Sequence, residues 1–414
     1  MKVTLVNTSD VGGAAVATFR LYHALKKAGV DVKVLLQKAK KPETLQNNDV
    51  AVWINNKTRK WKYLIRHYQE RQLSGTGKSF SNFSSGQFGV NIANHEFITR
   101  ADVVHLHWVN DNFIGIKNLA QIQKPIVWTF HDMWPINGGF HYMEDELALQ
   151  ELSKEDLADS RSQLYAKCYL QKAEVYSEIE WMGITPSVWL SKLANQAPLT
   201  SNYNVVPIPN PIDIEVYKPG DKASARKRFG ISQEAKVILF GSFNVLSDQR
   251  KGFAHLKNAL DALAKKAPNS KIELAVIGRR NDDMVEQVPF KVHFLGFHSS
   301  DADLVECYQV ADVFALPSEQ DNLPNMCMEA LSCGIPVVAF NIGGVPDMVV
   351  PNKTGLLSEL GHTEQMANNL TQILLDDTLQ KEMAEGAREH VVDSYSENAI
   401  SQQLLLKYSE LLNG

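Results

Sequence analysis

The chain predicts an α/β protein built from two doubly wound halves, and three observations carry that prediction. Short apolar runs recur along the whole sequence, many closing on Gly, Pro, Ser or His and several leading into residues with helical spacing. The order strand, turn, helix, strand begins at Lys2 and restarts at Lys236, after the proline-rich link Asn210-Pro211-Ile212-Asp213. No repeat of roughly 20–50 residues appears, so the repetition lies in the architecture and not in the sequence.

Composition narrows the function classes. The chain has 414 residues, 44% hydrophobic and 21% charged, as expected of a globular enzyme of two or three domains. A net charge of −5 argues against nucleic acid as a partner. The four cysteines, Cys168, Cys307, Cys327 and Cys333, show no paired metal spacing and read as free thiols of a reducing compartment. MKVTLVNTSDVGG lacks a signal-peptide core, and no run reaches the ~18 apolar residues of a spanning helix. The expected location is cytoplasmic, with membrane contact only at the surface.

In the first half, Lys2–Asn7 reads as a strand, Gly12-Gly13 as its turn, and about Ala14 to Ala28 as a helix stopped by Gly29. The turn is not GxGxxG. Its glycines either permit tight strand-to-helix packing or let N–H groups meet a phosphate or acceptor group at the helix N-terminus. Asp31–Leu36 is the next strand. In Lys57–Gln72, six Lys/Arg stand against one Glu, and Trp61, Leu64, Ile65 and Tyr68 share one helical face. That face covers the domain core or lies on anionic lipid headgroups. Ser74–Gln87, rich in Ser and Gly, reads as a flexible loop.

Ala101–Trp108 and Pro125–Phe130 are further strands. The second runs into His131, which faces the crevice and can donate to an oxyanion or sugar hydroxyl, unless it is a hydrogen-bonded core residue. Asp132 either orients it or caps the next segment. His105 and His107 share one side of their strand, where a metal pair would lack a third ligand. Glu144–Glu178 is acidic and helical in pattern. Trp181–Pro186 and Tyr203–Pro209 close the half.

In the second half, Lys236–Gly241, Lys271–Ile277 and Lys291–Gly296 are strands, with helices about Phe253–Lys266 and Ala302–Gln309. Arg250, Lys251, Arg279 and Arg280 stand at strand ends near glycines. Lys as a point charge, Arg as a fork donor and backbone N–H groups together suit a diphosphate. Asp312–Leu316 and Ile335–Phe340 are two buried strands. Between them lie Glu319, Asp321 and Glu329 and a helix ending at Gly334; after them comes the loop Asn341-Ile342-Gly343-Gly344. Carboxylates, glycines and a helix N-terminus thus meet at adjacent strand ends, where open parallel sheets bind ligands. Helices over Glu364–Leu375, Gln380–Val392 and Ile400–Leu412 finish the chain.

The stretch PSEQDNLPNMCMEALSCGIPVVAFNIGGVPD resembles the signature of family-4 retaining glycosyltransferases of the GT-B fold. TFHDMWPINGGFHY and the turn holding Arg250-Lys251-Gly252 are similar to the subgroup that builds colanic acid and other exopolysaccharides. The resemblance implies two Rossmann-like domains facing a central cleft: residues 1–209 for the acceptor, 210–393 for the donor, and a helix over 394–414 crossing back. It implies a nucleotide-diphosphate sugar, UDP- or GDP-linked, as donor substrate, no metal and no cofactor.

By motif, Glu329 would hold the ribose hydroxyls with both carboxylate oxygens, and Lys251 the diphosphate. Asp321 stands where the family has a Glu that contacts the transferred sugar. Asn322, Leu323, Pro324 and Asn325 would line the sugar, Gly12 and Gly13 the phosphates, and His131 would reach the donor sugar. His131, Lys251 and Asp321 are the catalytic candidates. The family's Arg after the strand glycine is replaced by Ser242, leaving Arg250, Arg279 or Arg280 to supply the guanidinium. Retention implies front-face attack, with a phosphate oxygen taking the acceptor proton. The acceptor would be a saccharide or a lipid-linked one, approached through Lys57–Gln72. A UDP-sugar epimerase and a non-catalytic nucleotide-sugar scaffold are the rivals.

Overall fold

In the computed structural model the described residues are 1–53, 60–61, 64–65, 68, 83–143, 160–203, 205–241, 249–298 and 300–413, without the side chains of 160–163 and 249. The chain divides into two compact units, Met1–Pro211 with Ile400–Gly414, and Ile212–Ala399.

The first unit holds seven strands: β1 (Lys2–Ser9), β2 (Asp31–Lys38), β3 (Val50–Val52), β4 (Val103–Leu106), β5 (Ile126–Thr129), β6 (Trp181–Thr185) and β7 (Val206–Pro207). They pair in parallel in the order β3-β2-β1-β4-β5-β6-β7. Val3, Leu5, Val103 and Val127 pack on one face with Leu21, Leu25, Ile400, Leu404 and Tyr408; Val6, Leu106, Ile126 and Trp128 pack on the other. A parallel sheet covered on both faces explains why these strands read as unbroken apolar runs.

The second unit repeats the plan with β8 (Lys236–Gly241), β9 (Ile272–Ile277), β10 (Lys291–Gly296), β11 (Val313–Leu316), β12 (Val337–Phe340) and β13 (Gly355–Ser358). Their parallel order is β10-β9-β8-β11-β12-β13. Helix Phe253–Lys266 buries Leu256, Ala259, Leu260 and Leu263 against the sheet. In both units the strand order reverses once, between β1 and β4 and between β8 and β11, and a ligand crevice forms outside the strand ends at such a reversal.

Several elements differ from expectation for local reasons. β3 and β13 are too short to show a period. Helix Lys222–Phe229 has almost no apolar pattern; Asp221 caps it, and its buried Arg226 bonds the buried Asp312 at 2.7 Å. Asp312 therefore precedes β11 as the centre of an ion pair that also takes Lys222 at 2.8 Å. Ser187, two residues after β6, caps helix Val188–Gln196, which has no counterpart in the expected elements. The described end of the expected flexible loop is tied down, with Phe83 bridging Phe140 and the Gly86 carbonyl accepting from Ile116 N at 2.8 Å. The acidic segment is a helix over Ser160–Glu178; its residues 144–159 lie outside the described residues.

Most of Lys57–Gln72 also lies outside them, but Trp61, Leu64, Ile65 and Tyr68 are described and exposed, 53–68% each. That face therefore does not cover the core. No described helix is long and apolar enough to cross a membrane.

Candidate functional site

At the second unit's reversal the loops after β8, β11 and β12 interlock. A single 3-10 turn, Gln249–Lys251, carries the basic pair into Gly252, whose φ of +68° and lack of a side chain are both required. A Cβ there would lie 1.8 Å from the Pro317 carbonyl oxygen. Two residues on from Pro317, Glu319 N donates to the Arg250 carbonyl at 2.8 Å. This clamp brings Lys251 Nζ to 2.8 Å from Asp321 Oδ2.

Asp321 is fixed from the other side by the glycine loop after β12. Gly344 N donates to the Asp321 carbonyl at 3.2 Å, and a Cβ on Gly343, φ +49°, would sit 2.1 Å from that oxygen. Lys251 and Asp321 keep side-chain exposures of 34% and 14%, so the pair is open to a ligand. Asn322 and Leu323 are buried, Pro324 caps helix Asn325–Ser332, and Asn325 opens it.

Glu329 lies on that helix, 4% exposed. Tyr308 donates its hydroxyl to Glu329 Oε2 at 2.5 Å. One oxygen of the carboxylate expected to use both on a ribose is thus already engaged. Burial, then the Glu329 charge, pushes the Tyr308 phenol far above its ordinary range. Of the arginines, Arg280 bonds Asp282 at 2.8 Å and is exposed, while Arg279 is exposed at the end of β9. Arg250 is half-buried beside Lys251, the arginine the loops bring to the site.

In the first unit Gly12, φ +101°, caps helix Gly13–Lys27 and has nothing within 4 Å of where a Cβ would be. Tight packing is therefore not the reason for a glycine at that position. His131 follows β5 and His107 follows β4. Their rings stack, with His107 Nδ1 and His131 Nε2 2.9 Å apart. Burial pushes the His131 imidazole down to about 4 against the opposing pull of Asp132, so it is neutral at pH 7.

His105 is saturated by Tyr408 at 2.6 Å and Thr129 at 2.7 Å, which accounts for it without a metal. Asp132 takes the capping alternative: Oδ1 accepts from Trp134 N at 2.9 Å, and Oδ2 from Trp108 Nε1 at 3.0 Å and His141 Nδ1 at 2.7 Å. It does not orient His131. Sequence reasoning passed over Tyr308 and His141, and a tyrosine inside a helix and a histidine after two glycines give no signal for these partners.

Two parallel-sheet Rossmann-like units with loops gathered at their reversals define the GT-B class. Residues 11–157 match the model for Glycosyltransferase Family 4, and residues 221–390 that for Glycosyl transferases group 1. The chain is 25% identical to D-inositol 3-phosphate glycosyltransferase of Corynebacterium aurimucosum over 98% of itself and 93% of that protein. It is 28% identical to N-acetyl-alpha-D-glucosaminyl L-malate synthase of Bacillus anthracis over 51% of itself and 55% of that relative. The structure of Anabaena Alr3699/HepE in complex with UDP superposes with a TM-score of 0.67 at 18% identity, covering 99% of this chain and 100% of that one. A match to a family 4 glycosyltransferase domain followed by one to a group 1 glycosyl transferase domain thus accounts for most of the chain.

Proposed function

We propose that the protein moves a sugar from a UDP- or GDP-sugar to a saccharide or lipid-linked acceptor with retention of configuration, in bacterial exopolysaccharide or cell-surface glycan synthesis. The observation that carries the reading is the meeting of Lys251, Asp321 and the N-terminus of helix Asn325–Ser332 at one sheet reversal. Lys251, with Arg250 beside it, takes the diphosphate charge as the anomeric bond breaks. Asp321 contacts the transferred sugar, and the Asn322–Asn325 segment lines it. Glu329, steadied by Tyr308, binds the ribose with its remaining capacity. Gly12 and Gly13 approach the phosphates, and neutral His131 donates a hydrogen bond to the donor sugar. No metal or cofactor enters, and a phosphate oxygen takes the acceptor proton.

The names of the curated relatives favour a second reading of the acceptor, a small hydroxylated anion such as an inositol phosphate or a hydroxy acid. The exposed Trp61, Leu64, Ile65 and Tyr68, within a basic segment, favour the lipid-linked one at the inner membrane face. A thermal-shift panel of UDP, GDP, ADP and their sugars selects the donor, since a preferred ligand stabilises the fold by mass action. Transfer to each acceptor class, with the product anomer read by NMR, then tests the reaction. A donor bound without transfer or hydrolysis identifies a scaffold, epimerised donor identifies an epimerase, and an inverted anomer overturns retention. Failure to sediment with anionic liposomes at low salt removes the membrane contact.

A further inference from the structure

The first unit contains a second arrangement of reactive groups that the sugar-transfer reading does not use. Ser84 Oγ lies 2.9 Å from His141 Nε2, and His141 Nδ1 lies 2.7 Å from Asp132 Oδ2. From these contacts we propose that Ser84, His141 and Asp132 form a nucleophilic serine centre that takes an acyl group from a short-chain carboxylic ester.

The order of the contacts is the one such chemistry needs: carboxylate to one imidazole nitrogen, hydroxyl to the other. Asp132 is 7% exposed, and three donors surround its two oxygens, His141, Trp108 and the Trp134 peptide. Burial works against the charged form, and the contacts with His141, the Trp134 peptide and Trp108 together outweigh it, so the carboxyl is held below its usual range. An ionised Asp132 can only accept, so His141 carries its proton on Nδ1. The Nε2 lone pair then faces the Ser84 hydroxyl, and the hydroxyl donates.

The three groups are also held rigidly. Ser84 N donates to the Gly139 carbonyl at 2.8 Å, and the Ser84 carbonyl accepts from Trp134 Nε1 at 2.7 Å. Asn137 ties the same loop, accepting from Gly139 N and Phe140 N and donating to the Met133 and Phe140 carbonyls. The His141 ring lies against the Trp108 indole, 5.6 Å between centroids. His141 and Ser84 both stay partly open to solvent, so the hydroxyl does not need the imidazole to avoid being buried without a partner.

In the proposed step Ser84 Oγ bonds to the ester carbonyl carbon while its proton passes to His141 Nε2. The carbon–oxygen bond to the alcohol breaks, and the departing oxygen takes that proton. Water then attacks the acyl-serine through His141 in the same way, releasing the carboxylic acid and restoring the hydroxyl.

The test uses the full chain, a fluorescent fluorophosphonate and p-nitrophenyl acetate. The expected result is covalent label mapped by peptide mass spectrometry to Ser84, absent in Ser84→Ala and at least about 100-fold slower in His141→Gln. Because His141→Gln could disturb the loop, a second pair, Ser84→Cys with and without His141→Gln, is alkylated with iodoacetamide. Faster alkylation with His141 present supports the centre. No label on Ser84, or equal rates with and without His141, overturns it.

Discussion

Lys251 Nζ and Asp321 Oδ2 lie 2.8 Å apart, so the cation and the carboxylate of the proposed donor site are each other's counter-ions. A Glu at position 321 would carry one more methylene, and Asp sets its carboxylate at this distance with its peptide clamped by Gly343 and Gly344. Any diphosphate that binds Lys251 must compete with Asp321.

That competition gives opposite signs for two variants. Lys251→Ala should lower kcat/KM by about 2–4 kcal/mol, the cost of losing one donor to a developing charge. Asp321→Asn should slow turnover of the sugar donor yet tighten binding of the bare nucleoside diphosphate by about 0.2–1 kcal/mol, the worth of a partly exposed ion pair. Calorimetry with UDP and GDP reads the second effect. Unchanged diphosphate affinity in Asp321→Asn would show that the two groups do not compete.

His107 and His131 form a stacked, hydrogen-bonded pair, and His107 Nε2 is buried without a partner. A bare lone pair is the cheaper orphan, so His107 places its proton on Nδ1 and donates to His131 Nε2. His131 then carries its own proton on Nδ1, as a donor and not a base. Nitrogen chemical shifts of labelled histidine should show this tautomer, and His107→Phe should erase the preference. Burial holds His105 near 3, His107 well below 6.5 and His131 near 4. Below pH 6.5 the unfolded chain takes protons that the folded one refuses, so stability should fall with pH from 6.5 towards about 4. His107→Phe should make that fall shallower; a slope equal to wild type would count against the buried neutral row.

Tyr308→Phe removes the hydroxyl donated to Glu329 and nothing else from the ring. A hydrogen bond to a charged group contributes about 1.5–3 kcal/mol. The loss should appear both as lower stability and as weaker nucleoside binding, whereas nucleotide-free pyrophosphate binding stays constant. Equal weakening of both ligands would place the tyrosine's effect elsewhere than on the ribose.

What the sequence showed and hid follows from the range of each interaction. The strands Lys236–Gly241 and Lys291–Gly296 and the helix Phe253–Lys266 match their expected bounds, because buried parallel strands and one-sided helices write their period locally. Lys251, Asp321 and Glu329 were legible as strand-end and helix residues able to meet a diphosphate and a sugar. Their pairing was not, because Lys251 meets Asp321 and Tyr308 meets Glu329 only through tertiary contacts between separate elements. Asp132 was ambiguous for the same reason: its partners His141 and Trp108 lie on either side of it in the chain, and adjacency to His131 said nothing about direction.

Lys172 anchors the loop that bears His131, Asp132 and His141. Its side chain is fully buried, donates to the Trp134 and Asn137 carbonyls, and sits 3.5 Å from the Trp134 ring centroid. Burial pushes the ammonium down to about 7. Unfolded, the same amine holds its proton up to about 10.5. Between these values the unfolded chain binds a proton that the folded chain has lost, so stability should rise with pH by up to about 1.4 kcal/mol per unit. Below pH 7 both states are protonated and the contribution is constant. Lys172→Met should flatten the rise, while stranding two buried carbonyls at a cost of about 1–3 kcal/mol. Urea melts at pH 6.5, 8 and 9.5, taken as wild type minus variant, isolate this group from the others. Parallel curves across the three pH values would mean that the buried amine stays charged, held by the two carbonyls and the indole face strongly enough to offset its desolvation.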